Sequence, residues 1–146
     1  MNFIPVSEPN LSGCEREYVL DCLDSGWISS KGQHVELFES EFAKAVDATY
    51  AVATCNGTCA LHLALLAVGI GPRDEVIVPT LTYIASANAV AYTGAKPVFV
   101  DSEPGTWNLD PVRVERAITR RTRAIMAVHL YGHPCDLDAL RPPGRS

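Results

Sequence analysis

No apolar run in this sequence is long enough to span a bilayer, so a membrane-spanning helix is excluded. Met1–Asn10 has neither the basic start nor the apolar stretch of a signal peptide, and a cytoplasmic protein is expected. Positive charge is scarce: 12 Lys and Arg stand against 17 Asp and Glu, for a net charge of −5. No basic stripe with interleaved aromatics is present, which speaks against a nucleic-acid partner. The dinucleotide fingerprint G-x-G-x-x-G is missing, as are the Gly-Lys-Ser/Thr phosphate loop and the G-x-S-x-G elbow. There are no internal repeats and no low-complexity segment. The five cysteines, Cys14, Cys22, Cys55, Cys59 and Cys135, are odd in number. Cys55 and Cys59 lie four apart with no second close pair and no His-x-His, so zinc is not expected; the cysteines read as buried free thiols, with Cys55 partly exposed at a turn.

The 146 residues are 47% hydrophobic and 20% charged, values of a globular domain able to bury a core. Ile4–Pro9 reads as extended. Ser12 with Glu15 makes a capping box for a helix running to about Asp24, with Cys14, Tyr18, Cys22 and Leu23 available for one face and Gly26 as its stop. Ser25–Gln33 is a loop rich in glycine and serine that also carries Trp27 and Lys31. Val35, Phe38, Phe42 and Ala45 mark one face of a second amphipathic helix.

The chain is organised around residues 51–70, AVATCNGTCALHLALLAVGI. Thr49–Thr54 reads as a buried strand, Cys55-Asn56-Gly57 as a turn, and Thr58 as the opening of a helix apolar on nearly all sides, hence buried. A strand turning over a glycine into a helix presents free N–H groups and the positive end of the helix dipole. Thr58 adds a hydroxyl. The turn is either an anion site, most simply for phosphate, or an ordinary β-α turn with a Thr cap.

Beyond it, Glu75–Val78 is a strand ending at Pro79. Ile84–Tyr92 is a small-residue helix closed by Gly94, and Pro97–Val100 a strand ending at Asp101. Asp110-Pro111 starts a helix that runs to about Arg120, and Ala124–His129 is a further strand. Strand and helix alternate four times, and the strands are apolar runs. That predicts an α/β domain with a largely parallel sheet and right-handed crossovers. Ligands of such sheets sit outside the carboxyl ends of the strands, where Cys55–Thr58, Thr80–Tyr83, Asp101 and His129–His133 converge. A phosphate anchor beside the aromatic plate of Tyr83 suits a planar phosphorylated cofactor; alternatively Tyr83 is a core aromatic.

The segments SGWISSKGQHVELFESEFA, CNGTCALHLAL, PRDEVIVPTLTYIASANAV, PVFVD and AVHLYGHPCDLDAL together resemble the DegT/DnrJ/EryC1/StrS family of pyridoxal-phosphate-dependent sugar aminotransferases, in order and from about Ile4 to Leu140. The resemblance implies the aspartate-aminotransferase-like fold (fold type I). Residues 1–146 would be an incomplete amino-terminal portion of its cofactor-binding large domain, with Arg141–Ser146 departing from the family pattern. It implies pyridoxal 5'-phosphate as cofactor. Gly57, Thr58 and Cys59 match the turn that holds its phosphate, and Tyr83 the aromatic stacked on its ring. Lys31 falls in a segment near the active site, where it approaches an anionic nucleotide or remains a solvated loop lysine.

The implied reaction converts a nucleotide-linked 4-keto-6-deoxy sugar to a 4-amino sugar of the perosamine type, with an amino-acid donor such as glutamate, in polysaccharide or glycoside biosynthesis. A cytoplasmic homodimer with shared active sites is implied. The family's Schiff-base lysine and the aspartate on its pyridine nitrogen match no residue here. Lys31, Lys44 and Lys96 are the lysines of the chain, and none stands in the lysine motif. Two further readings stay open: a truncated, non-catalytic remnant acting as a binding or assembly module, and a member that dehydrates its substrate with a histidine in the lysine's place.

Overall fold

The computed structural model describes residues 3–141. The chain divides into two compact units, Met1–Ala53 and Thr54–Ser146.

The first unit is a helical hairpin of α1 (Glu15–Ser25) and α2 (Gln33–Ala45). Gly26 ends α1 in the left-handed conformation, φ 75°, which costs glycine nothing. The Asp21 carboxylate accepts bonds from Gln33 Nε2 and His34 Nε2, both at 2.7 Å, fastening α1 to the first turn of α2. Those donors, His34 foremost, hold the Asp21 carboxyl below its usual range. The Tyr18 ring lies 5.0 Å from the His34 ring, and Phe38 lies 5.7 Å from Phe42 along α2. The expected capping box does not form. Cys14 is the N-cap and caps nothing; the Glu15 carboxylate instead reaches back to Gly13 N–H at 2.9 Å. Ser12 gives its own N–H to Asn10 Oδ1, which takes it out of register with the helix start.

The second unit is a three-layer α/β arrangement. Its helices are α3 (Gly57–Ala67), α4 (Ala85–Tyr92), α5 (Pro111–Ala117) and α6 (Leu137–Leu140). Its strands are β1 (Glu75–Pro79), β2 (Lys96–Val100) and β3 (Thr122–Ile125), all parallel in the order β2-β1-β3. β1 is central and buried on both faces, and alternation along it explains how. Val76 and Val78 point into a core with Leu65, Ile70, Ala89, Val90 and Ala95 under α3 and α4. Ile77 points the other way, into a core with Val100, Leu109, Val114 and Leu140 under α5 and α6.

Glu75 opens β1 and is buried. Its carboxylate accepts from Thr119 Oγ1 and from Arg121 Nη2, both at 2.6 Å. The Thr119 hydroxyl, then the Arg121 charge, hold this carboxyl below its usual range against the opposing effect of burial.

The structure corrects several expectations. Thr49–Thr54 forms no strand. Both ladders of β1 are taken by β2 and β3, and the Ala53 N–H is bound by the Glu39 carboxylate at 2.8 Å. Val52 is 72% exposed. The sheet therefore has three strands rather than four among the described residues. α3 is apolar all round but covered on one side only: Leu65 is buried, whereas Leu63 and Leu66 are exposed. The helix after Asp110 stops at Ala117, well before Arg120, where Ile118 turns to extended backbone. β3 begins at Thr122 and ends at Ile125, not His129; the Met126 N–H still reaches Ile77 O at 2.8 Å before the chain leaves the sheet. Of the thiols only Cys135 is buried; Cys22 is half-buried, and Cys14, Cys55 and Cys59 are exposed. The departure expected over Arg141–Ser146 lies, from residue 142 on, outside the described residues. Among the described residues no helix is long and apolar enough to cross a membrane.

Candidate functional site

The site is built at the carboxyl edge of the sheet. The α4 C-terminus lies against the turn that follows α3: a Cβ on Gly94 would come within 3.1 Å of Pro72, and Lys96 N–H bonds Asp74 O at 2.9 Å. The C-terminal ends of both helices therefore share the edge where β1 and β2 begin, and their N-terminal ends face the edge where those strands finish. This topology directs Gly57–Cys59 and Tyr83 to the same edge.

The α3 N-terminus is capped by Asn56, an extended residue with φ −169° whose Oδ1 accepts the Cys59 N–H at 2.9 Å. Sequence reading took Asn56 only as a turn residue, although asparagine directly before a helix is a strong capping signal. The cap settles one orphan donor. The N–H groups of Gly57 and Thr58 come before any intrahelical acceptor and remain directed outward. Thr54 Oγ1 donates to Asn56 O at 3.0 Å and braces the turn. A Cβ on Gly57 would meet nothing within 4 Å, so the space above this turn is open. The first turn of α3 carries no acidic side chain, which leaves the positive end of the helix uncompensated. An open, uncompensated cradle with a half-buried Thr58 beside it fits a phosphate.

Tyr83 lies four residues beyond the end of β1 and is 80% exposed, so it is not a core aromatic. Its turn is held by the Ser86 N–H on Tyr83 O at 3.1 Å and by the Thr82–Ser86 hydroxyl pair at 2.9 Å. One ring face is thereby free for a planar ligand.

Asp101, at the end of β2, is already engaged. It accepts from Thr80 Oγ1 at 3.0 Å and pairs with Arg113 at 3.1 Å, so it ties the two strand ends together. The loop His129–His133 is clamped by Asn108, a buried residue that sequence reading missed. Asn108 Nδ2 donates to His133 O and Pro134 O at 3.0 Å, and its Oδ1 accepts from Leu130 N–H at 3.1 Å. Nothing in the local pattern of Trp107-Asn108-Leu109 marks it, because its partners lie more than twenty residues away. His129 Nδ1 accepts the Cys135 N–H at 3.0 Å, a packing role. Lys31 belongs to the first unit. It sits exposed on the loop between α1 and α2, at a hollow of about 240 Å³ lined also by Trp27, Ile28, Gly32 and His34. The larger hollow of the second unit, about 650 Å³, runs along β3 and α6 and includes none of the Gly57–Cys59 turn.

Residues 9–143 match the model of the DegT/DnrJ/EryC1/StrS aminotransferase family. The chain is 59% identical to GDP-perosamine synthase of Escherichia coli O157:H7 over 140 residues, 96% of this chain and 38% of that protein. It thus spans a little over a third of the length of that relative. Among solved structures it is similar to the PLP-form of Spr1654 from Streptococcus pneumoniae, described as a sugar aminotransferase. The TM-score is 0.86 at 39% identity, over 94% of this chain and 35% of that one. It is also similar to DesI determined in the presence of its TDP-sugar product, with a TM-score of 0.76 at 43% identity, over 86% of this chain and 31% of that one. The parallel sheet with flanking helices is the α/β architecture of these fold type I enzymes, and the chain belongs to the DegT/DnrJ/EryC1/StrS aminotransferase family.

Proposed function

We propose that this chain provides the phosphate-holding and ring-stacking part of a pyridoxal-phosphate-dependent aminotransferase. Its substrate is a nucleotide-linked 4-keto-6-deoxy sugar, converted to the 4-amino sugar with an amino acid such as glutamate as donor. The observation that carries this reading is the open, uncompensated N-terminus of α3 at Gly57 and Thr58, directed to the same sheet edge as the exposed ring of Tyr83. The bound cofactor supplies the electron sink that amino transfer needs. In this reading the Thr58 hydroxyl and the Gly57 and Thr58 N–H groups bind the phosphate, with Cys59 continuing the turn behind them. Tyr83 orients the ring, and Lys31 offers its charge to the nucleotide phosphates. The perosamine assignment is supported by the relative's name, and the nucleotide-sugar class by the product present with DesI. A cytoplasmic homodimer goes with the same reading.

No lysine of the chain is assigned the covalent role. Lys44 pairs with Glu41 at 2.8 Å on α2, and Lys96 stands 4.0 Å from Glu75 at the start of β2, the edge opposite the site. The deciding experiment grafts this segment into a full-length family member and compares cofactor affinity and amino transfer with and without Thr58→Ala. Unchanged affinity would contradict the phosphate role. A second reading, a non-catalytic binding or assembly module, is favoured by the uncovered apolar side of α3 at Leu63 and Leu66. Turnover by the graft at the parent's rate would speak against it.

A further inference from the structure

We infer that Cys55 and Cys59 form an oxidisable dithiol that closes to a disulfide around the phosphate turn. The two sulfurs lie 3.4 Å apart, in hydrogen-bond contact, and both residues are exposed. A disulfide needs about 2.05 Å between sulfurs, a closing motion of little more than 1 Å that two exposed side chains can make. Asn56 Nδ2 also reaches Cys55 Sγ at 3.4 Å, so the turn itself holds the pair face to face. The remaining thiols are in other places: Cys14 and Cys22 in the first unit, and Cys135 buried with its Sγ on Val128 O at 3.1 Å.

The oxidant class is a hydroperoxide. The hydrogen-bonded Cys55 thiol beside it pushes the Cys59 thiol up from its ordinary value. We assign the first attack to Cys55, which lies exposed ahead of the Asn56 cap. Its thiolate attacks one peroxide oxygen, the O–O bond breaks, and the leaving hydroxide takes a proton to become water. Cys59 sulfur then attacks the sulfenic sulfur of Cys55. The S–O bond breaks, the S–S bond forms, and the departing hydroxide leaves as water with the Cys59 proton. In sum two thiols give up two electrons and two protons, and hydrogen peroxide is reduced to two waters.

The consequence for the site follows from position. Asn56, Gly57 and Thr58 lie inside the ring that the new bond closes. Drawing Cys55 toward Cys59 displaces the Asn56 cap and narrows the opening above Gly57; this part rests on the phosphate reading proposed above. Trypsin cuts after Lys44 and Arg73, so both cysteines, and no others, fall in the peptide Ala45–Arg73. The experiment treats the 146-residue chain with hydrogen peroxide, alkylates it and maps its peptides. Expected is loss of two hydrogens from Ala45–Arg73, no alkylation of that peptide, and recovery of both thiols with dithiothreitol. Cys55→Ser should abolish the two-hydrogen loss. Separate oxygen additions on the two sulfurs, or retention of both thiols at doses that oxidise Cys14, would overturn the proposal. In parallel, inorganic phosphate is titrated into the reduced and oxidised chains. Affinity should fall about tenfold on closure, as expected when one hydrogen bond to a charged group is lost. Equal affinity would overturn closure around the cradle; failure of the reduced chain to bind phosphate would overturn the phosphate reading and leave the dithiol result standing.

Discussion

The Asn56 side chain accepts the Cys59 N–H at 2.9 Å and in doing so decides which backbone groups α3 leaves for a ligand. Four N–H groups are orphaned at a helix start. Here they are the N–H groups of Asn56, Gly57, Thr58 and Cys59; the Ala60 N–H already makes the first helical bond, to Asn56 O at 3.1 Å, and the Asn56 side chain takes that of Cys59, so Gly57 and Thr58 are the helical residues left with outward donors. Replacing the cap by Asn56→Ala should destabilise the chain by about 0.5–2 kcal/mol, the usual worth of such a cap. Asn56→Asp should keep the stability, since a carboxylate also caps, and still weaken phosphate binding through its charge. Denaturant melts and phosphate titrations of both variants check this; a stable Asn56→Ala chain would show that the cap is idle.

Thr58→Ala, in a full-length family member carrying this segment, should weaken pyridoxal phosphate by roughly 1–2 kcal/mol, the value of a hydrogen bond to a charged group. The helix should persist, because the cap is Asn56 and not Thr58. Equilibrium dialysis gives the affinity, and circular dichroism guards against unfolding.

Tyr83→Ala in the same protein should loosen the cofactor and shift its visible absorption band. Tyr83→Phe should preserve both, because the ring face does the stacking. The ring is exposed, so neither change should cost much stability. If phenylalanine were as damaging as alanine, the hydroxyl would be the working part.

Glu75 carries an acid-sensitive share of stability. Its carboxyl, ordinarily titrating near 4.5, is lowered in the folded chain by the Thr119 hydroxyl and then the Arg121 charge. A lowered folded value means the unfolded chain takes up the proton first. The contribution is therefore present above about pH 4.5 and lost as pH falls through the lowered folded value. Urea midpoints of the wild type and Glu75→Gln should lie apart at neutral pH and converge in acid. A gap constant with pH would mean the variant perturbs packing rather than charge.

Much of this was legible in the sequence, for local reasons. β1 reads as a buried strand because Val76, Ile77 and Val78 are apolar on both of its faces, and both faces are covered. Gly26 and Gly94 mark helix ends because their positive φ favours glycine. The start of α3 at Gly57 is legible because the Cys55-Asn56-Gly57 turn signal stands directly before an apolar helical run. What escaped reading is set by distant partners. Thr49–Thr54 has strand composition, but a strand exists only where a neighbour pairs with it, and no ladder among the described residues includes this segment. The Ser12–Glu15 spacing is that of a capping box, yet the helix starts at Glu15 itself. Asn108 acts through a loop more than twenty residues downstream.

The central claim is that Gly57 and Thr58 bind a phosphate, and amide chemical shifts of the isotopically labelled, reduced chain test it most directly. Titration with inorganic phosphate should move the Gly57 and Thr58 amide resonances most, saturably, with the Cys59 amide moving less because Asn56 already holds it. Static Gly57 and Thr58 resonances, with the larger shifts at the arginines of β3 and its preceding turn, would contradict the account.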